Sequence, residues 1–151
     1  MMNPQKIPPV HPARRRRQKG QSLIESALLS IIFFSLLIGA FDFGQFLFIH
    51  QALVERARSA ARWGMIDGAT NLDSVRNMVL YNQSSAPSSG TAGYFNMTSS
   101  MVTVTSTGAN TDDWLLTIRI DNYPYSILSP YITGTYYGPG IVVAVPLGRY
   151  N

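Results

Sequence analysis

The sequence predicts an α+β protein, in which one long amino-terminal helix packs against a small antiparallel β-sheet and a short second helix. The first observation behind this prediction is an uninterrupted apolar stretch near the amino terminus. The second is an alternation of apolar and polar residues near the carboxyl terminus, which is typical of half-buried strands. The third is composition: 13% of the 151 residues are charged and 46% are hydrophobic, which favours a membrane segment or an exported domain.

Positive charge is concentrated in residues 1–20, which contain six basic side chains and no acidic one. The rest of the chain carries six basic and eight acidic side chains, so the net charge of +4 comes from this head. A weakly acidic body argues against a nucleic-acid-binding face. The chain has no cysteine, which excludes disulfides, thiolate metal sites and cysteine nucleophiles.

Residues 1–20 are rich in proline and arginine, and we expect them to be a disordered cytoplasmic leader. A basic cluster directly before an apolar helix keeps the amino terminus in the cytoplasm and exports the residues that follow. This topology signal consists of Arg14, Arg15, Arg16, Arg17 and Lys19.

The long helix is predicted over residues 21–66. Its 16 residues from Ser26 to Phe41 are uncharged and lie between Glu25 and Asp42. Because a bilayer span needs about 20 residues, the predicted membrane segment extends over residues 23–49 and includes both acids. Beyond it, small and apolar residues recur at helical spacing and are expected to seat the exported domain: Leu53, Ala57, Ala60 and Gly64.

Residues 70–151 are predicted to form the small exported domain. A second helix begins from a cap within Thr70–Asp73. The predicted buried side of this helix consists of Leu72, Val75, Met78 and Val79. Residues 83–100 are expected to be an exposed loop.

Two alternating segments, Val102–Thr105 and Leu116–Asp121, predict strands that are joined as a hairpin. A third strand over Ile141–Leu147 is apolar on both faces, which fits a central strand or one pressed against the long helix. Pro146 argues against ladder bonding on both sides. Residues 123–140 form a long irregular connection that leaves the strand order open.

An ordinary secretory signal peptide fits poorly, because the apolar stretch exceeds the usual length of about 7–15 residues and no small-x-small cleavage site follows it. Three motifs instead resemble TadE-like minor pseudopilins of the tight-adherence (Tad/Flp) type IV pilus system. These are Gly20-Gln21-Ser22-Leu23-Ile24-Glu25, Asp42-Phe43-Gly44, and Gln51-Ala52-Leu53 followed by Ala60-Ala61-Arg62.

The resemblance covers roughly residues 14–66 and has two departures from the family pattern. Gln45 stands where the family often has Arg, and Ser26 stands where major Flp pilins usually have Tyr. The second departure and the large exported body both favour a minor component over the main pilin.

The resemblance implies a pilin-like fold and cleavage by a prepilin peptidase between Gly20 and Gln21. It further implies that the carboxylate of Glu25 pairs with the new amino terminus of a neighbouring subunit. The implied partners are membrane lipid, other pilins or pseudopilins, the prepilin peptidase and an inner-membrane assembly platform, without nucleic acid. No catalytic residue, cofactor or metal is implied.

Several alternatives remain open at this point. Glu25 could simply anchor the helix among lipid headgroups. Asp42, Phe43 and Gly44 could form an interfacial assembly contact, or Asp42 could be a solvated acid or the cap of a helix break at Gly44. The whole protein could also be an uncleaved signal-anchored envelope protein or a released secreted domain.

Overall fold

A computed structural model describes residues 13–67, 71–88, 90–109, 111–129, 132 and 134–148, with side chains from Gly20 onwards. It confirms the α+β class, with one long apolar helix, a short second helix and a small antiparallel sheet. The helices are α1 (Ala13–Ile66) and α2 (Leu72–Tyr81). The strands are β1 (Val102–Thr107), β2 (Leu115–Ile120), β3 (Pro124–Tyr125), β4 (Tyr136–Tyr137) and β5 (Ile141–Pro146).

The chain divides into two compact units after Ala40. In the first unit, every side chain from Gly20 to Leu37 is exposed. Between Gly20 and Ile66, α1 includes an 18-residue window with a mean hydropathy of 2.2, none of which is buried. By length and composition the helix could cross a membrane, although signal sequences meet the same criteria.

Helix α1 begins at Ala13, eight residues before its predicted start. The prediction of a disordered leader over residues 1–20 is therefore wrong for residues 13–20, while residues 1–12 lie outside the described part of the chain. The physical reason is that alanine, arginine, glutamine and lysine are all good helix formers, so the basic cluster can extend the helix.

In the second unit, β2 lies between β1 and β5 and is antiparallel to both. Ile118 is paired with Val104 on one side and Val143 on the other. A central position for the third strand is therefore wrong: β5 is an edge strand. Pro146 at the end of β5 is compatible with this edge position, because proline has no N–H group to donate to a second neighbouring strand.

The small-residue stripe of α1 is buried in the core, as predicted. Leu53, Ala57 and Ala60 are at most 1% exposed. A Cβ atom on Gly64 would lie 2.7 Å from Cδ2 of Leu116 in β2, so glycine allows the helix backbone to approach the sheet closely. The pattern missed Ala61, which is also fully buried.

Helix α2 starts within the predicted stretch, and its cap is Asn71. The Oδ1 atom of Asn71 accepts hydrogen bonds from the backbone N–H groups of Asp73 (3.0 Å) and Ser74 (3.2 Å). Val75 and Val79 are buried as predicted, together with Leu80. The other two residues of the predicted buried side, Leu72 and Met78, are only half-buried.

The segment 83–100 is not wholly an exposed loop. It contains one single turn of 3-10 helix (Tyr94–Asn96), and a second turn (Ser99–Met101) begins at its end. Met97 is only 2% exposed within the core. The connection 123–140 is more ordered than predicted, because β3 and β4 form a short antiparallel ladder within it. Tyr123, just before this ladder, is fully buried.

Candidate functional site

The predicted cleavage site lies within helix α1. Gly20 and Gln21 are both helical and exposed. Since the leader is helical from Ala13, the Gly20–Gln21 peptide bond does not lie at a junction between disordered chain and helix. The side chains of the predicted topology signal, Arg14 to Arg17 and Lys19, lie outside the described set.

Glu25 lies on the exposed apolar part of the helix, one turn after Gln21. Its neighbours Leu23 and Ile24 are 72% and 65% exposed. Arg58–Glu55, Arg76–Asp73 and Arg119–Asp121 are ion pairs in the described part of the chain, and none of these three involves Glu25.

Asp42 is the first acid after the apolar stretch, and it binds a distant segment of its own chain. Its two carboxylate oxygens accept hydrogen bonds from the backbone N–H groups of Leu128 (2.6 Å) and Ser129 (3.1 Å). Helix α1 continues through Gly44, so the alternative of a cap at a helix break there is wrong. Asp42 is also half-buried rather than fully solvated.

The two residues that follow Asp42 remain exposed. Phe43 is 63% exposed, and a Cβ atom on Gly44 would meet no other atom within 4 Å. The predicted interfacial contact of Asp42, Phe43 and Gly44 with another molecule stays a prediction. The intramolecular role of Asp42 could not be inferred from the pattern, because its partner Leu128 is 86 residues away.

Beyond Asp42, an aromatic cluster joins helix α1 to residues 123–137. The ring centroid of Phe46 lies 6.1 Å from that of His50 and 5.1 Å from that of Tyr125. The Nδ1 atom of His50 is 2.8 Å from the hydroxyl oxygen of Tyr123. Burial, with a smaller contribution from Tyr125, raises the pKa of Tyr123 above its usual value.

Next to this cluster is an open cleft of about 660 Å³, and none of the described side chains that line it is charged. One wall is helical and includes Gln45, Phe48 and Ile49, and the opposite wall includes Phe95. The ring of Phe95 meets that of Phe48 edge to face, at 6.2 Å between centroids. In the described part of the chain, no group of three or more His, Asp and Glu residues could hold a metal ion.

The exposed apolar helix fits a single-pass membrane anchor by length and composition, and a small α+β unit follows it in the chain. Residues 20–62 match the family model of TadE-like proteins, which confirms the predicted resemblance over this segment. TadE-like proteins are a structural, pilus-related family and not an enzyme family, and the match suggests involvement in Tad pilus systems. No curated protein and no solved structure matches the chain.

Proposed function

We propose that this protein is a structural minor pseudopilin in the assembly of a tight-adherence pilus, inserted in the inner membrane by its amino-terminal helix. The observation that carries this proposal is the fully exposed apolar helix from Gly20 to Leu37, within the segment that matches TadE-like proteins. A predominantly apolar helix that no described part of its own chain covers requires lipid or other helices around it.

The contacts of Asp42 support a shorter membrane span than residues 23–49. Asp42 is bonded to Leu128 within the second unit, and Ile49 is 7% exposed in the core of that unit. Residues that pack inside this unit are not available to lipid. Residues 21–41 as a helix cover roughly 30 Å, which equals the hydrocarbon thickness of a typical bilayer. We place the span there, with the amino terminus in the cytoplasm and the second unit exported.

Processing by a prepilin peptidase after Gly20 is the next part of the proposal. Because the Gly20–Gln21 bond is helical, the peptidase has to unwind the backbone locally before cleavage. Glycine lowers the cost of that unwinding, since it destabilises a helix interior by about 1 kcal/mol relative to alanine. Cleavage removes all six basic side chains of the head and leaves a weakly acidic mature chain.

Glu25 then has a specific role. An acid within the membrane costs about 2.5–3.5 kcal/mol on insertion scales, and such residues usually have a partner. Cleavage creates a free amine on Gln21. The carboxylate of an incoming subunit can pair with the amine of its neighbour, which offsets this cost and sets the axial register between subunits. The partners in this proposal are other pilins or pseudopilins, the peptidase, the assembly platform and lipid.

Replacement of Glu25 by alanine is expected to leave processing intact but to lower co-purification with partner pilins about tenfold, because the pairing carboxylate is lost. The measurement compares the mature fraction and the pilin content of the purified membrane complex. Glu55→Ala is the matched control, because Glu55 is an exposed acid of the same helix that pairs only with the exposed Arg58. Equal co-purification of the Glu25→Ala and Glu55→Ala proteins would remove the pairing role.

A further inference from the structure

The surface around Asp42 is unusually poor in charge. No Lys, Arg, Asp or Glu occurs between Asn122 and Gly148, or between Phe43 and Val54. These two segments meet in the structure, through the bonds of Asp42 to Leu128 and Ser129 and through the packing of Phe46 on Tyr125. The uncharged surface therefore begins directly after the apolar stretch, which ends at Phe41.

Exposed apolar side chains are present on both of these segments. Leu128 is 67% exposed although its backbone is held by Asp42. On the helix, Phe43 and Phe48 are 63% and 65% exposed, and Leu47 is 42% exposed. Exposed apolar side chains are unfavourable in water, whereas the interfacial region of a lipid bilayer accommodates them.

We propose that the segment around Leu128 is a second membrane contact of this protein, seated in the interfacial region of the exported-side leaflet. This proposal rests on the membrane insertion of the helix proposed above. Its ligand is the phospholipid interface itself. We use the name exit patch for the exposed apolar residues of these two segments: Phe43, Leu47, Phe48 and Leu128.

The bonds of Asp42 make such a contact physically acceptable. Backbone N–H groups near hydrocarbon must have partners, because little water is available to bind them. The carboxylate of Asp42 satisfies two of these donors, and the same bonds satisfy an acid that would otherwise be unfavourable at this depth. Asp42 is thus a positioning residue that holds Leu128 at the level where the helix leaves the membrane.

Nearby tyrosines agree with an interfacial location. Tyr137 is 61% exposed, and Tyr125 and Tyr136 pack their rings 5.9 Å apart between centroids. Tyrosine is enriched where one end of a side chain is in an apolar region and its hydroxyl is in water. The exit patch therefore lies beside residues that suit the same boundary.

The absence of cysteine allows a direct test in the full-length protein, reconstituted into phosphatidylethanolamine–phosphatidylglycerol vesicles. Leu128→Cys is labelled with a fluorophore, and its quenching by lipids brominated near the headgroup is measured. Val142→Cys is the matched control, because Val142 is an apolar residue of edge strand β5 with 58% exposure. We expect about threefold stronger quenching at position 128 than at 142, since only position 128 is interfacial.

A third label, at Phe33→Cys, separates this inference from the proposed function. Quenching of the Phe33 label by deeply brominated lipid, with the labels at positions 128 and 142 equally unquenched, would overturn the exit patch alone. A Phe33 label that no brominated lipid quenches would overturn membrane insertion, and the exit patch with it.

The role of Asp42 is tested in the same samples. Asp42→Ala, combined with Leu128→Cys, is expected to reduce headgroup quenching at position 128 to the level of the Val142 control, while quenching at Phe33 is unchanged. Glu55→Ala in the same background should have no effect. Unchanged quenching at position 128 after Asp42→Ala would show that Asp42 does not hold the contact.

Discussion

Replacement of Gly138 by alanine is expected to lower the free energy of unfolding by about 3 kcal/mol. A Cβ atom at this position would overlap the ring and hydroxyl of Tyr123. Tyr123 is fully buried and shares a hydrogen bond with His50, so it cannot move away without breaking core contacts. The backbone also has to stay close, because the N–H group of Gly138 donates to the carbonyl oxygen of Tyr123 at 3.0 Å.

Urea unfolding of the full-length protein in nanodiscs, followed by the fluorescence of Trp63 and Trp114, measures this change. Gly148→Ala is the matched control, because a Cβ atom on Gly148 would meet no other atom within 4 Å. We expect the control to unfold like the unaltered protein. Similar midpoints for the two variants would contradict the packing of Tyr123 against Gly138.

A second large effect is expected in the central strand. Leu116→Ala should cost about 3–4 kcal/mol of unfolding free energy, because it removes a fully buried side chain from a core that can collapse only in part. Leu116 also packs beside Gly64, where the long helix approaches the sheet. The substitution therefore weakens the contact between the helix and the sheet as well as the sheet itself.

Leu115→Ala provides the control on the same strand. Leu115 is 39% exposed and points to the opposite face, so its truncation should cost about 1 kcal/mol or less. The same unfolding experiment compares the two variants. A larger effect at position 115 than at 116 would mean that the strand register is shifted by one residue, since such a shift exchanges the two faces.

The features that the sequence predicts correctly are those set by neighbouring residues. The stripe of Leu53, Ala57 and Ala60 follows from helical spacing, and the hairpin strands follow from alternation over a few residues. The cap of α2 falls at Asn71, within the predicted stretch, because the capping bond spans only two or three residues. In each case the physical cause lies inside the window from which the prediction is made.

The features that the sequence does not predict depend on distant partners. The bonds of Asp42 to Leu128 and Ser129 join residues 86 and 87 positions apart, and the pair of His50 and Tyr123 spans 73. The edge position of β5 likewise depends on long-range pairing, because β1 and β5 bind opposite sides of β2. The distribution of aromatic residues offers one indirect signal of the division between the helix and the rest of the chain. Most phenylalanines lie on the helix, and all tyrosines lie after residue 80.

The start of the long helix is a different kind of error. Proline and arginine in residues 1–20 suggest disorder as a composition, but the prolines precede Ala13 and the basic cluster follows it. The helix propensity of residues 13–20 therefore decides their structure, and the average composition of residues 1–20 does not. This correction bears on the proposed function, because it puts the proposed cleavage bond inside a helix.

The amino terminus of the mature protein distinguishes a processed pseudopilin from an uncleaved anchor and from a released domain. The full-length precursor is expressed with a prepilin peptidase, and the intact mass of the protein in the membrane fraction is measured. A processed pseudopilin is expected to start at Gln21 and to keep the whole apolar helix. A membrane-bound chain that still starts at Met1 or Met2 would support an uncleaved anchor, and a soluble product that starts beyond Ala40 would contradict retention of the helix.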